Sequence, residues 1–308
     1  MIRAAMKFQD AHSHFFSRSF FLALAKQSPK EGTPAELVAE LAERSGIELP
    51  GEDVIAHTDR WIAEMDRIGI ERMVTFASAP PEAASVSQAV AHAGGRLIGY
   101  TVVDPTQPNA LEFATQALTD LGLRGLLVFP AMSHVEACDP RMDDLLALAG
   151  EQRAPVIVHC GILKIALRDL LGLPRPYDLQ FANPLSLVPA ANRHPGTTFV
   201  LPHFGGGFLR EALMAGMQCE NIFVDTSSSN DWMRSDPSGL RLTQVFRRAI
   251  DALGAERILF GTDSSTFPRG YRVDVRDTQL GSAREAGATD EQLAAIFGGN
   301  LAALLPER

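Results

Sequence analysis

The sequence lacks the features that mark several large classes of protein. Its three cysteines, Cys138, Cys160 and Cys219, are an odd number at wide spacing, so neither a disulfide framework nor a cysteine-rich zinc cluster is available. Lysine and arginine number 28 against 37 aspartate and glutamate residues, and the net charge of −9 argues against a nucleic-acid partner. Any metal ion would therefore be held by histidine and carboxylate side chains.

Long apolar runs are absent as well. No stretch approaches the roughly 18 consecutive apolar residues that a membrane-spanning helix needs. The first residues, MIRAAMKFQDAHSH, turn polar without the apolar core of a signal peptide. We therefore expect a cytoplasmic protein that has no membrane partner.

What the sequence does contain is a regular alternation of strand-like and helix-like segments. Short apolar runs rich in β-branched residues occur at eight places, and after the second they begin roughly 25 to 40 residues apart, the spacing of parallel βαβ units. Amphipathic helices are predicted between them, among others over 53–68, 81–93, 140–151 and 240–253. The predicted strands are 7–12, 72–76, 97–103, 123–129, 155–159, 198–202, 221–225 and 257–261.

Eight βα units in a chain of 308 residues predict one α/β domain, residues 1–308, folded as a (β/α)8 TIM barrel. An open parallel sheet is the alternative topology. The connection after the first strand is about 60 residues long, more than one βα unit requires. It contains a second helix start, since Thr33-Pro34-Ala35-Glu36 has the pattern of a capping box. This inserted helical segment is predicted to form either a lid over the barrel or an ordinary packed insertion.

Polar residues collect at the C-terminal ends of the predicted strands, where the active sites of such barrels lie. His12 and His14 are two residues apart on the first strand, so both side chains point to one side and can bind one ion. His159 ends the fifth strand and Asp263 follows the eighth, which completes a set of N and O ligands for a hydrolytic metal site. His203 ends the sixth strand and joins the same face.

The other four histidines are expected outside the site. His57, His92 and His194 fall in predicted helices or before a turn, where a surface position is the simplest interpretation. His134, in the loop after the fourth strand, is left open. Cys160 follows His159 directly and should point the opposite way, as a packed residue and not a nucleophile.

Taken together, these residues resemble the amidohydrolase superfamily, in its amidohydrolase-related (amidohydrolase 2) branch, which includes relatives of aminocarboxymuconate-semialdehyde decarboxylase. The resemblance covers nearly the whole chain, from DAHSH through VHCG, LPHFGGG and LFGTDSS to IFGGNLAALL. It implies that His12, His14, His159 and Asp263 are metal ligands. It also implies that His203 polarises the substrate or binds metal.

The resemblance further implies a single metal ion. Members that bind two metals carry a bridging Lys or Glu at the end of the fourth strand, where this sequence has Leu126-Leu127-Val128-Phe129-Pro130. Lys164 lies beyond His159 in the next loop or helix and is interpreted as a solvated lysine. Imidazole and carboxylate ligands favour Zn²⁺, although Mn²⁺, Fe²⁺ and Co²⁺ accept the same ligands.

A mechanism follows from these assignments. A divalent metal lowers the pKa of its bound water, Asp263 would take the proton and pass it to the leaving group, and His203 would stabilise the oxyanion. The local alternative for Asp263 is a helix N-cap after strand eight. Arg269, in the loop after that strand, is a candidate for binding a substrate carboxylate, unless it is merely solvated. Arg18 is a second candidate for this role.

Residues after the seventh strand are weaker candidates for the pocket wall. Trp232 is predicted to contact substrate, and Ser227, Ser228 and Ser229 line the pocket or form a serine-rich turn.

Several functions remain in competition. The first hypothesis is a metal-dependent hydrolase of an amide, ester or lactone, acting on a small molecule. The alternative is a metal-dependent, non-oxidative decarboxylase of an unsaturated or aromatic acid, which would use the same residues. A non-catalytic binding protein is disfavoured because all four ligands are present, and a Rossmann oxidoreductase because no GxGxxG follows a strand. Whether the chain forms a homo-oligomer is left open.

Overall fold

Eight parallel strands follow one another around a closed sheet in the computed structural model, which describes residues 6–227 and 231–307. Each strand pairs with the next in chain order. Ser13 pairs with Ser264, and the Ala11 amide donates to the Phe260 carbonyl at 2.8 Å, which joins the eighth strand to the first. The predicted (β/α)8 barrel is therefore confirmed, and the open sheet is excluded. The strands are β1 (Phe8–His14), β2 (Ile70–Ala77), β3 (Leu97–Val102), β4 (Gly125–Val128), β5 (Val156–Val158), β6 (Phe199–Leu201), β7 (Ile222–Asp225) and β8 (Ile258–Leu259).

Helices surround the barrel and fill its longer connections. The predicted helix over 53–68 begins where Asp53 caps it, because the Asp53 carboxylate accepts from the amides of Ile55 and Ala56. The described helices are α1 (Arg18–Ala25), α2 (Pro34–Ser45), α3 (Val54–Ile68), α4 (Ala83–His92), α5 (Ala110–Thr119), α6 (Pro130–Ser133), α7 (Asp143–Glu151), α8 (Ala166–Leu170), α9 (Val188–Arg193), α10 (Leu209–Gln218), α11 (Leu242–Leu253), α12 (Val273–Glu285), α13 (Asp290–Ala294) and α14 (Asn300–Leu304). No helix in the described part of the chain is long and apolar enough to cross a membrane.

The interior of the barrel is a packed core. Alternating strand residues point inward and fill it, so the polar residues at the strand ends rest on an apolar floor. Buried members of this cluster include Val74, Phe76, Tyr100, Ile157 and Leu259.

The long connection between β1 and β2 folds into α1, α2 and α3. The predicted capping box is present: the Thr33 hydroxyl accepts from the Glu36 amide, and the Glu36 carboxylate accepts from the Thr33 amide at 2.7 Å. Leu24 of α1 and Leu41 of α2 share an apolar cluster with Leu167 of α8. The inserted segment therefore packs against the loop that follows β5, as a wall beside the mouth of the barrel.

Candidate metal centre and active-site cavity

The two histidines of β1 both direct Nε2 toward Asp263. Nδ1 of His12 donates to Asp225 Oδ2 at 2.8 Å, and Nδ1 of His14 lies 2.7 Å from Ser78 Oγ. Because Nδ1 is engaged in both rings, Nε2 is the free nitrogen of each. These Nε2 atoms lie 3.9 Å and 3.2 Å from Oδ1 of Asp263. Two ligands at about 2.1 Å from a tetrahedral zinc ion lie about 3.4 Å apart, so the donor set fits a divalent ion.

Asp263 owes its position to a sharp turn after β8. Its φ is 60°, a left-handed conformation that aspartate tolerates better than most residues, and its amide donates to the His12 carbonyl at 2.9 Å. Burial by itself would raise the pKa of Asp263, but the hydrogen bond and charge of His14 outweigh it and lower that pKa below its usual value. The interpretation of Asp263 as a helix N-cap is wrong, because the next helix, α12, begins only at Val273.

Asp225, the last residue of β7, is a central site residue that the sequence analysis missed. Its carboxylate is fully buried and accepts from His12 Nδ1 at 2.8 Å, the His203 amide at 3.0 Å and the Ser227 amide at 2.9 Å. Burial would raise the pKa of Asp225, but the charge and hydrogen bond of His12 lower it. An acidic residue that ends a buried strand, as in NIFVD, was the available signal.

Asp225 also raises the pKa of its partner. Burial alone would lower the pKa of His12, and the charge and hydrogen bond of Asp225 more than offset this effect. A carboxylate that holds one nitrogen of an imidazole while the other binds metal is a recurring arrangement in metalloenzymes. Ligand atoms of His12, His203 and Asp225 lie within 4.8 Å of one another, as do those of His12, His14 and Asp263.

His203 lies in the turn that follows β6, with a φ of 59°. Its Nδ1 is 2.8 Å from Ser227 Oγ, and its ring centroid is 4.9 Å from that of His12. Burial and the charge of His12 lower the pKa of His203, so the ring is neutral at pH 7. Three glycines follow with φ values of 92°, 55° and 109°, the tight turn that Gly205, Gly206 and Gly207 permit.

His159 stands on the other side of the cavity. It is buried, its ring stacks on Phe129 at 5.0 Å, and its centroid is 5.3 Å from that of His203. Burial and the neighbouring His203 and His12 hold the pKa of His159 well below its usual value. Among the described residues, His159 belongs to neither of the two ligand groups, and its Nδ1 has no hydrogen-bond partner. Its role as a fourth ligand stays a prediction.

A cavity of about 610 Å³ lies above these residues. Phe16 and Phe20, from the segment inserted after β1, form one wall, and Phe129 and the buried Trp232 contribute further aromatic surface. The cationic side chains that line this cavity are those of Lys164, Arg168, Arg269 and Arg272.

The predicted substrate-binding residues are placed differently with respect to this cavity. Trp232 and Arg269 line it, and Nη2 of Arg269 donates to Ser265 Oγ at 2.9 Å. Arg18 begins α1 and is not among the described residues of the lining. Ser228 and Ser229 lie outside the described residues.

One histidine outside the site was misjudged from the sequence. His57 is buried, not on the surface, because α3 turns this face toward the end of β1. Its Nε2 pairs with the Phe15 carbonyl at 2.9 Å, one residue beyond His14. The surface interpretation of His57 is therefore wrong, and its ring contacts the backbone directly after β1.

The remaining histidines and Cys160 are not among the proposed ligands. His92 pairs with Asp59 at the surface, and His134 stacks on Phe181. His194 is partly buried and pairs with Asp143 at 2.9 Å. Cys160 is a buried core residue, packed as predicted, and burial raises the pKa of its thiol.

A closed barrel with histidines and a carboxylate gathered at the C-terminal ends of its strands has the arrangement of a barrel enzyme, whose catalytic residues lie at that face. The model of the amidohydrolase family matches residues 9–306, and the chain therefore belongs to that family of enzymes. A divalent metal ion is expected for such an enzyme, and the His12, His14 and Asp263 donors fit one. Comparison with curated proteins found no match.

Solved structures with the same fold include decarboxylases and a protein assigned as a hydrolase. The 5-carboxyvanillate decarboxylase of Sphingomonas paucimobilis is 16% identical, with a TM-score of 0.67 over 97% of this chain and 99% of that one. A variant of the same enzyme from Novosphingobium aromaticivorans, with bound manganese and 3-methoxy-4-hydroxy-5-nitrobenzoic acid, is 14% identical, with a TM-score of 0.62 over 97% and 96%. A Pseudomonas putida protein assigned as a 2-pyrone-4,6-dicarboxylic acid hydrolase is 17% identical, with a TM-score of 0.60 over 98% of each chain. At these identities the likeness establishes the fold alone.

Proposed function

We propose that this enzyme hydrolyses an amide, ester or lactone of a small, carboxylate-bearing molecule, using one divalent ion bound by His12, His14, His159 and Asp263. The observation that carries the proposal is the convergence of Nε2 of His12 and His14 on Asp263 Oδ1, at 3.9 Å and 3.2 Å, beneath the cavity. Of the predicted ligands, His159 has the least support.

The chain's own residues are suited to the proton transfers of a hydrolysis. A bound divalent ion supplies a water of lowered pKa and polarises a carbonyl group. Asp263, whose side chain is 34% exposed, can accept a proton at its carboxylate and deliver it to the leaving group. His203 is held at Nδ1 by Ser227 and lines the cavity, where its other nitrogen can stabilise a developing negative charge.

The aromatic and cationic side chains that line the cavity suit a planar substrate that carries a carboxylate. Phe16 stacks on the ring of His14 with centroids 4.8 Å apart, and Phe129 stacks on His159. Arg269 lines the same cavity without an ion-pair partner among the described residues, so its guanidinium is free to bind a carboxylate.

Decarboxylation of an aromatic or unsaturated acid is the second candidate. The aromatic walls favour it, as does the occurrence of 5-carboxyvanillate decarboxylases among the proteins of the same fold. The same Asp263 and His203 would then handle the proton that replaces carbon dioxide on the substrate carbon.

Isotope labelling separates the two reactions. The zinc- or manganese-loaded enzyme would be incubated with a panel of small aromatic and unsaturated acids, esters and lactones in ¹⁸O-labelled water. Incorporation of ¹⁸O into a product carboxyl group, lost in Asp263→Asn, supports hydrolysis. Release of carbon dioxide without ¹⁸O in the remaining product overturns hydrolysis in favour of decarboxylation.

Zinc is our proposed native ion, in one copy per chain, because β4 ends in Leu127 and Val128 and offers no bridging ligand for a second. Elemental analysis of protein purified without chelator should find one divalent ion per chain. Two ions at full occupancy, or full activity in metal-free protein, would contradict the proposal.

A further inference from the structure

Glu82 is a buried carboxylate that the proposed mechanism does not use. It ends the short turn after β2, and its relative exposure is 0%. A buried carboxylate usually has a cationic partner, since an unpaired charge is costly to bury. No such partner is found for Glu82 in the described ranges. Its two oxygens instead accept three hydrogen bonds, from the Ser17 amide at 2.6 Å, the Ser17 hydroxyl at 2.9 Å and the Ser78 amide at 2.7 Å.

One of these partners leads directly to a predicted metal ligand. Ser78 follows β2, and its Oγ lies 2.7 Å from Nδ1 of His14. Glu82 Oε2 accepts from the amide of Ser78 and therefore fixes the backbone from which this hydroxyl projects. A group that holds the second nitrogen of a metal-bound imidazole fixes both the orientation of the ring and its tautomer.

The other partner leads to the same imidazole by a second route. Ser17 follows Phe16, whose ring stacks on that of His14 with centroids 4.8 Å apart and planes 25° apart. Phe16 has a φ of 46°, a conformation that is unfavourable for a bulky side chain. The two bonds from Ser17 to Oε1 of Glu82 hold the chain in place directly after this strained residue.

We propose that Glu82 is a positioning residue for His14: it fixes the edge of the imidazole through Ser78 and its face through Phe16. The inference rests on the proposed role of His14 as a metal ligand. Glu82 touches neither His14 nor the cavity, so it acts only through these two neighbours.

Glu82→Gln is the sharpest test, because it keeps the size of the side chain but leaves one acceptor oxygen where two are needed. The new amide group must face either Ser17 or Ser78, both of which donate. At a pH above 7, where Glu82 is ionised and both oxygens accept, we expect the affinity of the metal-free protein for Zn²⁺ alone, measured by competition with a chromogenic chelator, to fall roughly 10- to 100-fold. Zinc affinity is measured without substrate, so the result does not depend on which reaction the enzyme catalyses.

A double-mutant cycle tests the proposed route. Ser78→Ala removes the hydroxyl that contacts His14, and in its presence Glu82→Gln should cause a clearly smaller loss of zinc affinity than in the wild type. Ser186→Ala is the matched control, because it removes a part-buried serine hydroxyl that donates to the Asn183 carbonyl at 2.9 Å, outside the contacts of Glu82 and His14. We expect this control to bind zinc as the wild type does.

The possible outcomes are distinct. Unchanged zinc affinity in a folded Glu82→Gln variant overturns the inference. So does a double variant whose loss of zinc affinity equals the product of the losses in Glu82→Gln and Ser78→Ala. If Glu82→Gln does not fold, Ser78→Ala and Ser17→Ala carry the test, and wild-type zinc affinity in both overturns it. Wild-type zinc affinity in His14→Ala would instead contradict the proposed metal site itself.

Discussion

The two sides of the cavity hold their histidines in different ways. On β1, Nδ1 of His12 and of His14 is engaged by Asp225 and Ser78. Directly after β5, His159 is also buried, but its Nδ1 has no partner among the described residues, and its ring stacks on Phe129. The β1 side thus fixes its rings by hydrogen bonds, and the β5 side fixes its ring by packing.

This difference teaches that equal positions at strand ends do not give equal ligands. A ring held at one nitrogen is preorganised to present the other nitrogen, whereas packing alone does not select the tautomer. We expect the β1 side to determine metal affinity. The β5 side, where burial keeps the pKa of His159 low, supplies a neutral imidazole to the cavity.

The largest effect is expected from removing one ring on each side. His12→Ala should lose the metal and the activity together, because it deletes the Nε2 ligand of the imidazole that Asp225 holds at Nδ1. His159→Ala should retain a substantial part of its metal. Elemental analysis and turnover measured on the same preparations check this, and equal loss of metal in both variants would remove the contrast between the two sides.

Asp263→Asn should separate metal binding from proton transfer at the carboxylate that faces His12 and His14. The amide oxygen can still coordinate weakly, but the basic carboxylate is gone, so turnover should fall by roughly 10² to 10⁴ while metal is retained. A variant that keeps its metal and loses less than tenfold would show that the proton moves through another group, with His203 the first to examine.

The buried Glu82 should make the free energy of unfolding depend on pH. Burial raises the pKa of Glu82 from 4.5 to about 7, although the Ser17 and Ser78 hydrogen bonds oppose the shift. The folded protein therefore retains a proton that the unfolded chain releases. The free energy of unfolding should fall by about 3 kcal/mol as pH rises from below 4.5 through 7.

Urea unfolding of the metal-free protein across this range gives the measurement. Subtracting the Glu82→Gln curve from that of the wild type removes the contributions of the histidines, which titrate in both proteins. A difference that does not vary with pH would show that the pKa of Glu82 is the same in the folded and the unfolded protein.

The smallest of these effects concerns the partner of His12. Asp225→Asn replaces one acceptor oxygen by a donor facing His12 Nδ1 or the amides of His203 and Ser227. Metal affinity should fall roughly 10- to 100-fold while the cavity stays intact. Chelator competition measures this loss, and wild-type affinity in Asp225→Asn would mean that the hydrogen bond does not brace the ring.

The fold could be read from the sequence because its signals are local. Apolar runs of strand length recur at the spacing of βα units, and Asp53 and Thr33 mark helix starts with their own side chains. The gathering of His12, His14, His203 and Asp263 followed from barrel geometry, which brings all strand ends to one face.

The supporting contacts could not be read in this way. Asp225 meets His12 across 213 residues and Ser17 meets Glu82 across 65, and neither spacing leaves a periodic trace in the chain. His57 was misplaced because a histidine on a helix gives no sign of which helix face packs inward. The φ of 60° at Asp263 likewise depends on the path of the loop that follows, and a capping pattern alone suggested a helix there.

The segment inserted after β1 contributes cavity-lining residues that can be substituted without changing the interior of the barrel. Phe20 and Leu24 line the cavity from α1, yet they are anchored in an apolar cluster shared with α2 and α8 and not in the interior of the barrel. Substitutions at Leu24 would reshape the space offered to a substrate. Substitutions at Phe20 would also reach His14, because Phe20 stacks on Phe16 with ring centroids 4.2 Å apart and Phe16 stacks on His14. A library confined to Leu24 is thus a route to new substrate preferences that keeps Phe20 and its stack on Phe16.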